Sequence, residues 1–397
     1  MDDYRGNINC EAETKGYKMI KAGIYIHIPF CKTKCIYCDF YSMEKREEDM
    51  PHFVDMLVRE IELTAYDYKE DWMFDTIFFG GGTPSLMKPQ WLQQILKVLD
   101  HSFDISNVKE ITLEANPGEA TRQTLSEFRN LGINRLSMGF QSLQPKLLTS
   151  LSRIHSPKDC FSTYQNARDS GFDNINVDIL FNIPGQSLKV FQDDLKQVIQ
   201  LEPEHISAYS LTVEKNTPLY TKVQYGEIRM LSEDLSLDMF ELCRTYLRSN
   251  GYSQYEISNY SKKGIECRHN LHYWNLEPYL AFGPSAHGFD CHRRWWNTSS
   301  LDVYMQMLAH NERPVRGSET LNQTDHFNEA VINGLRTRDG IQLRKIHTWR
   351  TDAENINPII LKWKDQLDFT EDFIRLKTNS YKYADVIALD MIQTKVK

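Results

Sequence analysis

The stretch IPFCKTKCIYCDFYS (28–42) contains three cysteines, Cys31, Cys35 and Cys38, in the spacing C-x3-C-x2-C. An apolar, strand-like run precedes it directly. Three closely spaced thiolates can bind three of the four irons of a [4Fe–4S] cube. The fourth iron then has no protein ligand and can coordinate a small molecule. The sequence therefore predicts an iron–sulfur centre with one open coordination position, held by these three cysteines.

A structural zinc site is the alternative interpretation of the same cysteines. Zinc in such sites takes four nitrogen or sulfur ligands in a closed tetrahedron. His27, four residues before Cys31, or a distant cysteine could supply the fourth ligand. Zinc knuckles usually read C-x2-C twice, so the spacing favours the iron–sulfur cluster, and zinc stays open as the less favoured alternative.

Composition excludes several classes of protein. The chain has 397 residues, of which 46 are basic and 54 acidic, and its formal net charge is -8. A general nucleic-acid binder would carry a basic excess, so no nucleic-acid partner is expected. No apolar run approaches the roughly 18–20 residues that span a bilayer. We therefore expect no intrinsic membrane anchor, and any peripheral membrane contact would come through a partner.

The first 22 residues contain neither a secretory signal nor a periodic pattern, and they are predicted to form a flexible N-terminal tail. A [4Fe–4S] cluster is sensitive to oxygen and needs a reducing compartment. We therefore expect the protein in the cytoplasm.

Strand-like and helix-like segments alternate from residue 23 to residue 212. The predicted strands are 23–28, 75–84, 109–117, 134–142, 174–185 and 204–211. Six βα units in succession indicate a parallel sheet with right-handed crossovers. The predicted fold class is therefore α/β: an incomplete parallel (β/α)6 barrel at 23–212, followed by a barrel-associated mixed segment at 213–300 and a smaller, mostly helical C-terminal domain at 301–397.

Residues suited to binding chemistry lie where the predicted strands end. They are Cys31, the glycine turn GGGTP (80–84), Glu114, Gln141 and Asp178. In barrel-like α/β folds the carboxyl ends of the strands form the functional site. The sequence thus predicts one site that combines the cysteines with these residues.

The cysteine loop followed by GGGTP resembles the radical S-adenosylmethionine (SAM) superfamily. The resemblance implies that S-adenosylmethionine binds the open iron and is cleaved reductively, giving methionine and a 5′-deoxyadenosyl radical. Further motifs follow in order through most of the chain after residue 22: YIHIPFC (25–31), EANP (114–117), GFQS (139–142), SAYSL (207–211) and RHNLHYW (268–274). This order is similar to that of the anaerobic coproporphyrinogen III oxidase family.

By motif position, this resemblance implies a set of cofactor-binding residues. Tyr25, Gly81 and Glu114 would contact the cluster-bound S-adenosylmethionine. The adjacent pocket, where the oxidase holds a second molecule, would be lined by Tyr37, Gly82, Thr83, Gln141, Arg153 and Asp178. His287, in GPSAHG (283–288), aligns with a family position near the cluster-bound cofactor. Whether one or two molecules bind stays open.

Two departures from the oxidase pattern bear on function. The oxidases typically carry a further cysteine two residues after the third cluster ligand, whereas this chain reads Cys38-Asp39-Phe40. The segment before the first strand is also shorter than theirs. Both features resemble a sister branch of heme chaperones, whose members bind heme and pass it to apo-cytochromes or other heme-accepting proteins. A coproporphyrinogen III oxidase and a heme-degrading radical enzyme remain the alternatives.

The segment RHNLHYW supplies the candidate axial ligands of heme. His269 and His272 are imidazole candidates, and Cys267 is a thiolate candidate. Two histidines three residues apart lie on one side of a helix. The alternative is that this segment is a packing and hydrogen-bonding motif, and the sequence does not choose between the two.

Overall fold

The computed structural model describes residues 11–14, 17–68, 72–349 and 357–392. In this part of the chain the strands are β1 (Glu11–Thr14), β2 (Tyr17–Ile28), β3 (Phe30–Cys31), β4 (Met43–Glu44), β5 (Trp72–Gly81), β6 (Glu110–Ala115), β7 (Arg135–Gln141), β8 (Ile175–Phe181), β9 (His205–Ser210), β10 (Ser253–Gln254), β11 (Asn259–Ser261), β12 (Tyr279–Phe282), β13 (His287–Phe289), β14 (Arg293–Asn297), β15 (Val315–Thr320), β16 (Ile341–Gln342), β17 (Leu367–Phe369) and β18 (Phe373–Leu376). The α-helices are α1 (Met50–Tyr68), α2 (Pro89–Ser102), α3 (Arg122–Asn130), α4 (Pro145–Ser150), α5 (Pro157–Asp169), α6 (Leu188–Gln200), α7 (Pro218–Gln224), α8 (Glu233–Ser249), α9 (Arg268–Trp274), α10 (Leu301–Ala309), α11 (Gln323–Leu335), α12 (Leu343–Trp349), α13 (Asn357–Lys362) and α14 (Ala384–Met391).

Six parallel strands form the centre of the largest sheet. Their order is β9-β8-β7-β6-β5-β2, so each strand lies beside its neighbours in the succession of βα units. Helices α1, α2, α3, α5 and α6 lie in the crossovers between them. The predicted incomplete (β/α)6 barrel is therefore confirmed, and the strand ends agree with the predicted ranges to within a few residues, except at the start of the first strand.

Burial explains the hydrophobic patterns of these strands and helices. Strand β5 is buried without interruption from Phe74 to Gly80, because helices cover its outer face while the barrel interior covers the other. Helix α1 places Phe53, Leu57 and Ile61, four residues apart, against this sheet, and all three are fully buried.

The sheet extends beyond the six predicted strands. Strand β12 lies parallel to β2, with Tyr279 opposite Gly23, and β13, β14 and β15 continue the sheet in antiparallel order. On the other edge β11 and β10 pair antiparallel. The mixed segment therefore contributes a seventh parallel strand. It escaped prediction because β12 has four residues, and its partner lies some 250 residues earlier in the chain.

The two ends of the chain differ in detail from the expectation. Strand β1 pairs with β2, which begins at Tyr17, and Ala22 is fully buried, so Glu11–Thr14 and residues 17–22 of the predicted flexible tail belong to the sheet. Residues 1–10 and 15–16 lie outside the described residues. The C-terminal region contains the expected helices and also a three-stranded antiparallel sheet, β16-β18-β17, whose strands are too short to give a sequence signal. None of the described helices has the length and apolar composition needed to cross a bilayer.

Candidate cofactor site at the carboxyl end of the barrel

The cluster loop, residues 29–42, is closed at both ends by a short parallel ladder. Strands β3 and β4 pair Phe30 with Met43 and Cys31 with Glu44. The amide of Met43 donates to the carbonyl of Pro29 at 2.8 Å. These bonds fix the loop at the carboxyl end of β2, so the three cysteines are held on a short, tied segment.

The three cysteines have the chemistry of iron ligands. All three are free thiols; Cys35 is buried, while Cys31 and Cys38 are partly exposed. Burial raises the pKa of the Cys31 thiol and raises that of Cys38 to about 11. Binding of iron must therefore displace thiol protons, and assembly of a cluster here releases protons.

A chain of hydrogen bonds reaches two of the cysteine sulfurs. Arg153 Nη2 donates to Asn116 Oδ1 at 2.5 Å, and Asn116 Nδ2 donates to Thr83 Oγ1 at 2.9 Å. The Thr83 hydroxyl then donates to Cys31 Sγ at 3.5 Å, and Arg153 Nη1 donates directly to Cys35 Sγ at 3.4 Å. Two of these donors, the Thr83 hydroxyl and Arg153 Nη1, are directed at a sulfur, which is the arrangement that stabilises thiolates. The site thus fits an iron–sulfur cluster.

The zinc alternative requires a fourth ligand, and His27 is not free to provide it. Its Nε2 lies 2.7 Å from the carbonyl oxygen of Tyr41, which can only accept, so Nε2 carries the proton. Its Nδ1 lies 3.1 Å from the hydroxyl of Tyr25, which therefore donates to it. Burial lowers the pKa of His27 to about 4, so the ring is neutral.

The glycine turn, residues 80–84, is bonded to the cluster loop through its backbone. Gly82 N donates to Ile28 O and Thr83 N to Phe30 O, both at 2.8 Å. Gly81 N donates to a carboxylate at 3.1 Å. All three amides therefore already have acceptors within the protein.

Glycine is required in this turn because the backbone approaches its neighbours closely. A β-carbon on Gly82 would lie 2.6 Å from the carbonyl oxygen of Phe30. One on Gly81, which has φ +107°, would lie 2.6 Å from the ring of His27. The turn thus holds β5 against both β2 and the cluster loop.

Two carboxyl groups near the turn, those of Glu114 and Asp178, interact electrostatically. Glu114 accepts the hydrogen bond from Gly81 N at 3.1 Å. Removal from solvent, reinforced by the charge of Asp178, raises its pKa to about 8. Burial also raises the pKa of Asp178, against the hydrogen bond that Asn176 Nδ2 donates to it at 2.7 Å. Carboxyl oxygens at this depth suit the ribose hydroxyls or the positive charge of S-adenosylmethionine.

The remaining predicted residues lie around the same opening. Gln141 ends β7 after a register shift and has φ +64°. A β-carbon on Gly139 would lie 2.8 Å from Gln141 Nε2 and 3.3 Å from Arg153 Nη2. Tyr37 lies within the cluster loop, and His287 begins β13 with its ring exposed and stacked on Trp296 at a centroid distance of 6.0 Å. The fold therefore brings all the predicted cofactor residues to the carboxyl end of the sheet.

Sequence reasoning missed two residues of this site. Asn116 lies in the motif EANP, but the sequence indicates no role for it, since an asparagine after a strand is common in turns. His27 was considered only as a zinc ligand, although it joins Tyr25 to the cluster loop. No local pattern distinguishes either residue; each depends on contacts between segments distant in sequence.

The RHNLHYW segment lies at the opposite end of the barrel. Helix α9 closes the amino ends of the strands, and Glu110, at the start of β6, accepts from the amides of Arg268 and His269 at 3.1 Å each. A β-carbon on Gly23 would touch the ring of His269 at 3.0 Å. Five residues separate Gly23 from the end of β2, so α9 lies roughly 16 Å from the cluster loop along the strand.

The two histidines of α9 are buried, and three of their four ring nitrogens form hydrogen bonds. His269 is 0% exposed; its Nδ1 lies 2.9 Å from Thr76 Oγ1, and its Nε2 lies 2.8 Å from the hydroxyl of Tyr273. His272 Nε2 lies 2.7 Å from Asp75 Oδ1, and its Nδ1 lies 2.9 Å from Glu277 Oε2.

The buried cysteine beside them is equally occupied. The Cys267 thiol donates to Glu110 Oε1 at 3.5 Å, and burial raises its pKa to about 12. The structure thus favours the packing alternative for His269, His272 and Cys267. No ring nitrogen or sulfur of these three residues is available to a heme iron in this conformation.

Comparison with known proteins agrees with this site. The radical SAM superfamily model matches residues 25–198. The heme chaperone HemW of Bacillus subtilis is 33% identical over 344 residues, which cover 85% of this chain and 89% of that protein. HemW of Lactococcus lactis is 30% identical, covering 81% of this chain and 83% of that protein. The solved structure of coproporphyrinogen III oxidase (HemN) from Escherichia coli has a TM-score of 0.80 and 21% identity, over 94% of this chain and 89% of that one.

The fold and the cysteine site thus define a radical SAM protein. Within that superfamily the chain belongs to the HemW family of heme chaperones. A radical SAM domain implies a [4Fe–4S] cluster and S-adenosylmethionine, and the cysteines, hydrogen-bond donors and interior carboxyl groups described above fit both.

Proposed function

We propose that this protein binds heme and delivers it to a heme-accepting apo-protein, such as an apo-cytochrome, in the cytoplasm. The observation that carries the proposal is its similarity to HemW heme chaperones at 30–33% identity over more than four fifths of the chain. The similarity to the oxidase, at 21% identity, extends to the fold alone.

The residue after Asp39 supports the same choice. The oxidases typically carry a cysteine at this position, whereas here the side chain is that of Phe40, which is 64% exposed on the cluster loop. A phenyl ring can neither donate a hydrogen atom as a thiol does nor ligate iron. Decarboxylation that needs this thiol is therefore not supported, and an apolar contact is offered in its place.

We infer that Cys31, Cys35 and Cys38 hold the cluster, and that Tyr25, Gly81 and Glu114 contact the cluster-bound S-adenosylmethionine. Tyr37, Gly82, Thr83, Gln141, Arg153, Asp178 and His287 would line the adjacent space. The reduced cluster, when bound, supplies the electron that cleaves the sulfonium. His27 orients Tyr25 against the cluster loop, and Arg153 donates a hydrogen bond to the sulfur of Cys35.

The heme is proposed to bind at the mouth of the barrel. Large apolar side chains are exposed there, following three different strands: Phe40 after β2, Ile154 after β7, at 61% exposure, and Leu188 after β8. An exposed apolar set around an opening is typical of a binding surface. A porphyrin ring offers a flat apolar face of matching character.

His287 is the best-placed axial ligand for a heme at this mouth. Its ring reaches solvent, and among the described residues neither ring nitrogen has a hydrogen-bond partner. Partial burial, together with the charge of Arg294, lowers its pKa, so the imidazole is neutral and able to ligate iron. His269, by contrast, has both nitrogens engaged at the amino end of the barrel.

Heme titration of single variants tests this assignment. We expect His287→Ala to shift the Soret band and weaken heme affinity about tenfold or more, and His269→Ala to leave the heme spectrum unchanged. His52→Ala, on the exposed surface of α1, is the matched histidine control. A spectrum that changes in His269→Ala and not in His287→Ala would overturn the placement at the mouth.

A second pair of variants tests whether the apolar side chains exposed at the mouth of the barrel contact heme. Phe40→Ala should weaken heme binding several-fold, whereas Phe369→Ala, which removes a phenylalanine that is 52% exposed on the C-terminal sheet, should not. Transfer is then measured by mixing heme-loaded protein with an apo-cytochrome. Wild-type protein that binds no heme, or retains it in the presence of the acceptor, would contradict the proposed function.

The oxidase alternative has a direct test. Protein with a reconstituted cluster is incubated without oxygen with S-adenosylmethionine, a strong reductant and coproporphyrinogen III. Mass spectrometry is expected to show an unchanged substrate. Loss of two carboxyl groups would make the protein an oxidase.

A further inference from the structure

A cavity lies outside the barrel, between α8, β10 and the C-terminal sheet. Its volume is about 290 Å³. Four arginines line it: Arg244 and Arg248 from α8, Arg338 after α11, and Arg375 from β18. Asp368 is the acidic residue among its lining side chains. The chain as a whole has a net charge of -8, whereas the side chains that line this cavity include four arginines and one aspartate.

Three of the arginines already contact carboxylates, and donors remain. Arg338 Nη1 lies 3.4 Å from Glu266 Oε1, and Arg375 Nε lies 3.5 Å from Asp368 Oδ2, which are long, weak contacts. Arg338 Nε also lies 3.4 Å from Asp339 Oδ1. Each guanidinium carries five N–H groups, so one or two contacts of this kind leave most of them unused.

The two arginines of α8 differ in their ion pairs, and the difference indicates which guanidinium can bind an anion. Arg244 is held by Glu241 at 2.6 Å and by Asn379 at 3.3 Å. Arg248, one helical turn later on the same face, is exposed and makes no ion pair with another described residue. Like charges four residues apart on a helix repel, and an anion between them relieves that repulsion.

Neutral hydrogen-bond donors complete the lining. Ser253, Thr378 and Tyr381 contribute hydroxyl groups to the cavity. Burial raises the pKa of Tyr381 to about 12, so its hydroxyl keeps its proton and can donate. Arginine forks with neighbouring hydroxyls are the groups that recognise phosphate and carboxylate oxygens.

We propose that this arginine cavity binds a small polyanion, a phosphorylated or polycarboxylated metabolite, and so ties α8 of the barrel to the C-terminal sheet. The cavity is too small for a porphyrin, since sites for ligands of drug size occupy about 300–1,000 Å³. The proposal is therefore independent of heme binding.

Titration calorimetry of the full chain with its cluster reconstituted tests the proposal. Pyrophosphate and tricarballylate are the two probes, and they distinguish phosphate from carboxylate chemistry. We expect one-to-one binding of at least one probe, with Kd below about 1 mM, weakening as NaCl is raised. Arg248→Ala should weaken binding at least tenfold, and because Arg248 has no ion partner among the described residues this variant should fold normally.

Two further variants interpret the result. Arg248→Lys keeps the charge and removes the fork, so an intermediate affinity is expected. Arg316→Ala, on the exposed face of β15, is the matched control and should bind like the wild type. Failure of both probes to bind, or equal weakening by Arg248→Ala and Arg316→Ala, would overturn the proposal.

Discussion

The two ends of the barrel contain the same kinds of residue in opposite states. At the amino end, Asp75 and Glu277 raise the pKa of His272 against the effect of burial, and α9 closes the interior. At the carboxyl end, His27 is neutral, and Glu114 is held with its pKa raised to about 8. The titratable groups at the amino end are paired with one another. Those at the carboxyl end are not, and they can interact with a ligand. Titratable residues identify a site when their charges are unmatched, not merely when they cluster.

The largest effect should come from the cysteines of the carboxyl end. Replacing Cys31, Cys35 or Cys38 by serine should abolish the visible absorbance of the cluster, because a hydroxyl is a poor iron ligand compared with a thiolate. Cys160→Ser changes a buried cysteine outside the site and should leave the absorbance intact. A full cluster in all three variants would refute the ligand assignment.

The amino end should respond in stability and not in cofactor chemistry. Asp75→Ala removes a partner from the buried His272 and should lower the free energy of unfolding by about 3–5 kcal/mol, as for other broken buried pairs. Asp55→Ala on the exposed face of α1 should change it by less than about 0.5 kcal/mol. Denaturant unfolding measures both, and loss of the cluster spectrum in folded Asp75→Ala would contradict the separation of the two ends.

The same pair predicts a pH window. Its partners raise the pKa of His272 although burial alone would lower it, so its contribution is complete below about pH 6.5 and is lost as pH rises through the raised pKa. The pKa of Asp75 is lowered by His272 and Lys21, against the effect of burial, so its contribution is lost as pH falls through that lowered value. The stability difference between wild type and Asp75→Ala should thus be largest between about pH 4 and 6.5.

A substitution at the carboxyl end should have the opposite sign. Glu114 has a folded pKa of about 8, so ionisation of this carboxyl destabilises the ligand-free fold as pH rises toward 8. Glu114→Gln should therefore raise the stability of ligand-free protein at pH 8 by on the order of 2 kcal/mol, and by less at pH 6. It should also weaken S-adenosylmethionine binding. Denaturation at both pH values checks this, and a loss of stability at pH 8 would refute it.

The smallest effect should come from the hydrogen-bond chain to sulfur. Asn116→Ala breaks the link between Arg153 and Thr83 while leaving the cysteines in place. Weaker donation to sulfur should lower the reduction potential of the cluster by roughly 20–60 mV, which is about 0.5–1.4 kcal/mol for one electron. Redox titration followed by electron paramagnetic resonance measures it. Asn107→Ala is the exposed control, and an equal shift there would contradict the role of Asn116.

The sequence predicts well what is local. The cysteine spacing and the glycine turn are short motifs, and the six strands alternate with helices at a regular period, so both were identified in advance. Partners distant in sequence were not predictable in this way. The role of Asn116 depends on Arg153, 37 residues later, and the position of α9 depends on Glu110, some 160 residues earlier. A histidine motif has the same sequence pattern whether it lies at the open carboxyl end of the barrel or at the closed amino end.

The pairing of β12 with β2 also dictates the order in which this molecule can be completed. Tyr279 and Gly23 are neighbours in the sheet, although 255 residues are synthesised between them. Contacts so distant in sequence form slowly, and they form only after the later segment has left the ribosome. All six central strands and the cluster loop emerge before α9. The nascent barrel therefore already contains its three cluster cysteines while its amino end is still exposed to water. Closing that end is among the last steps of folding.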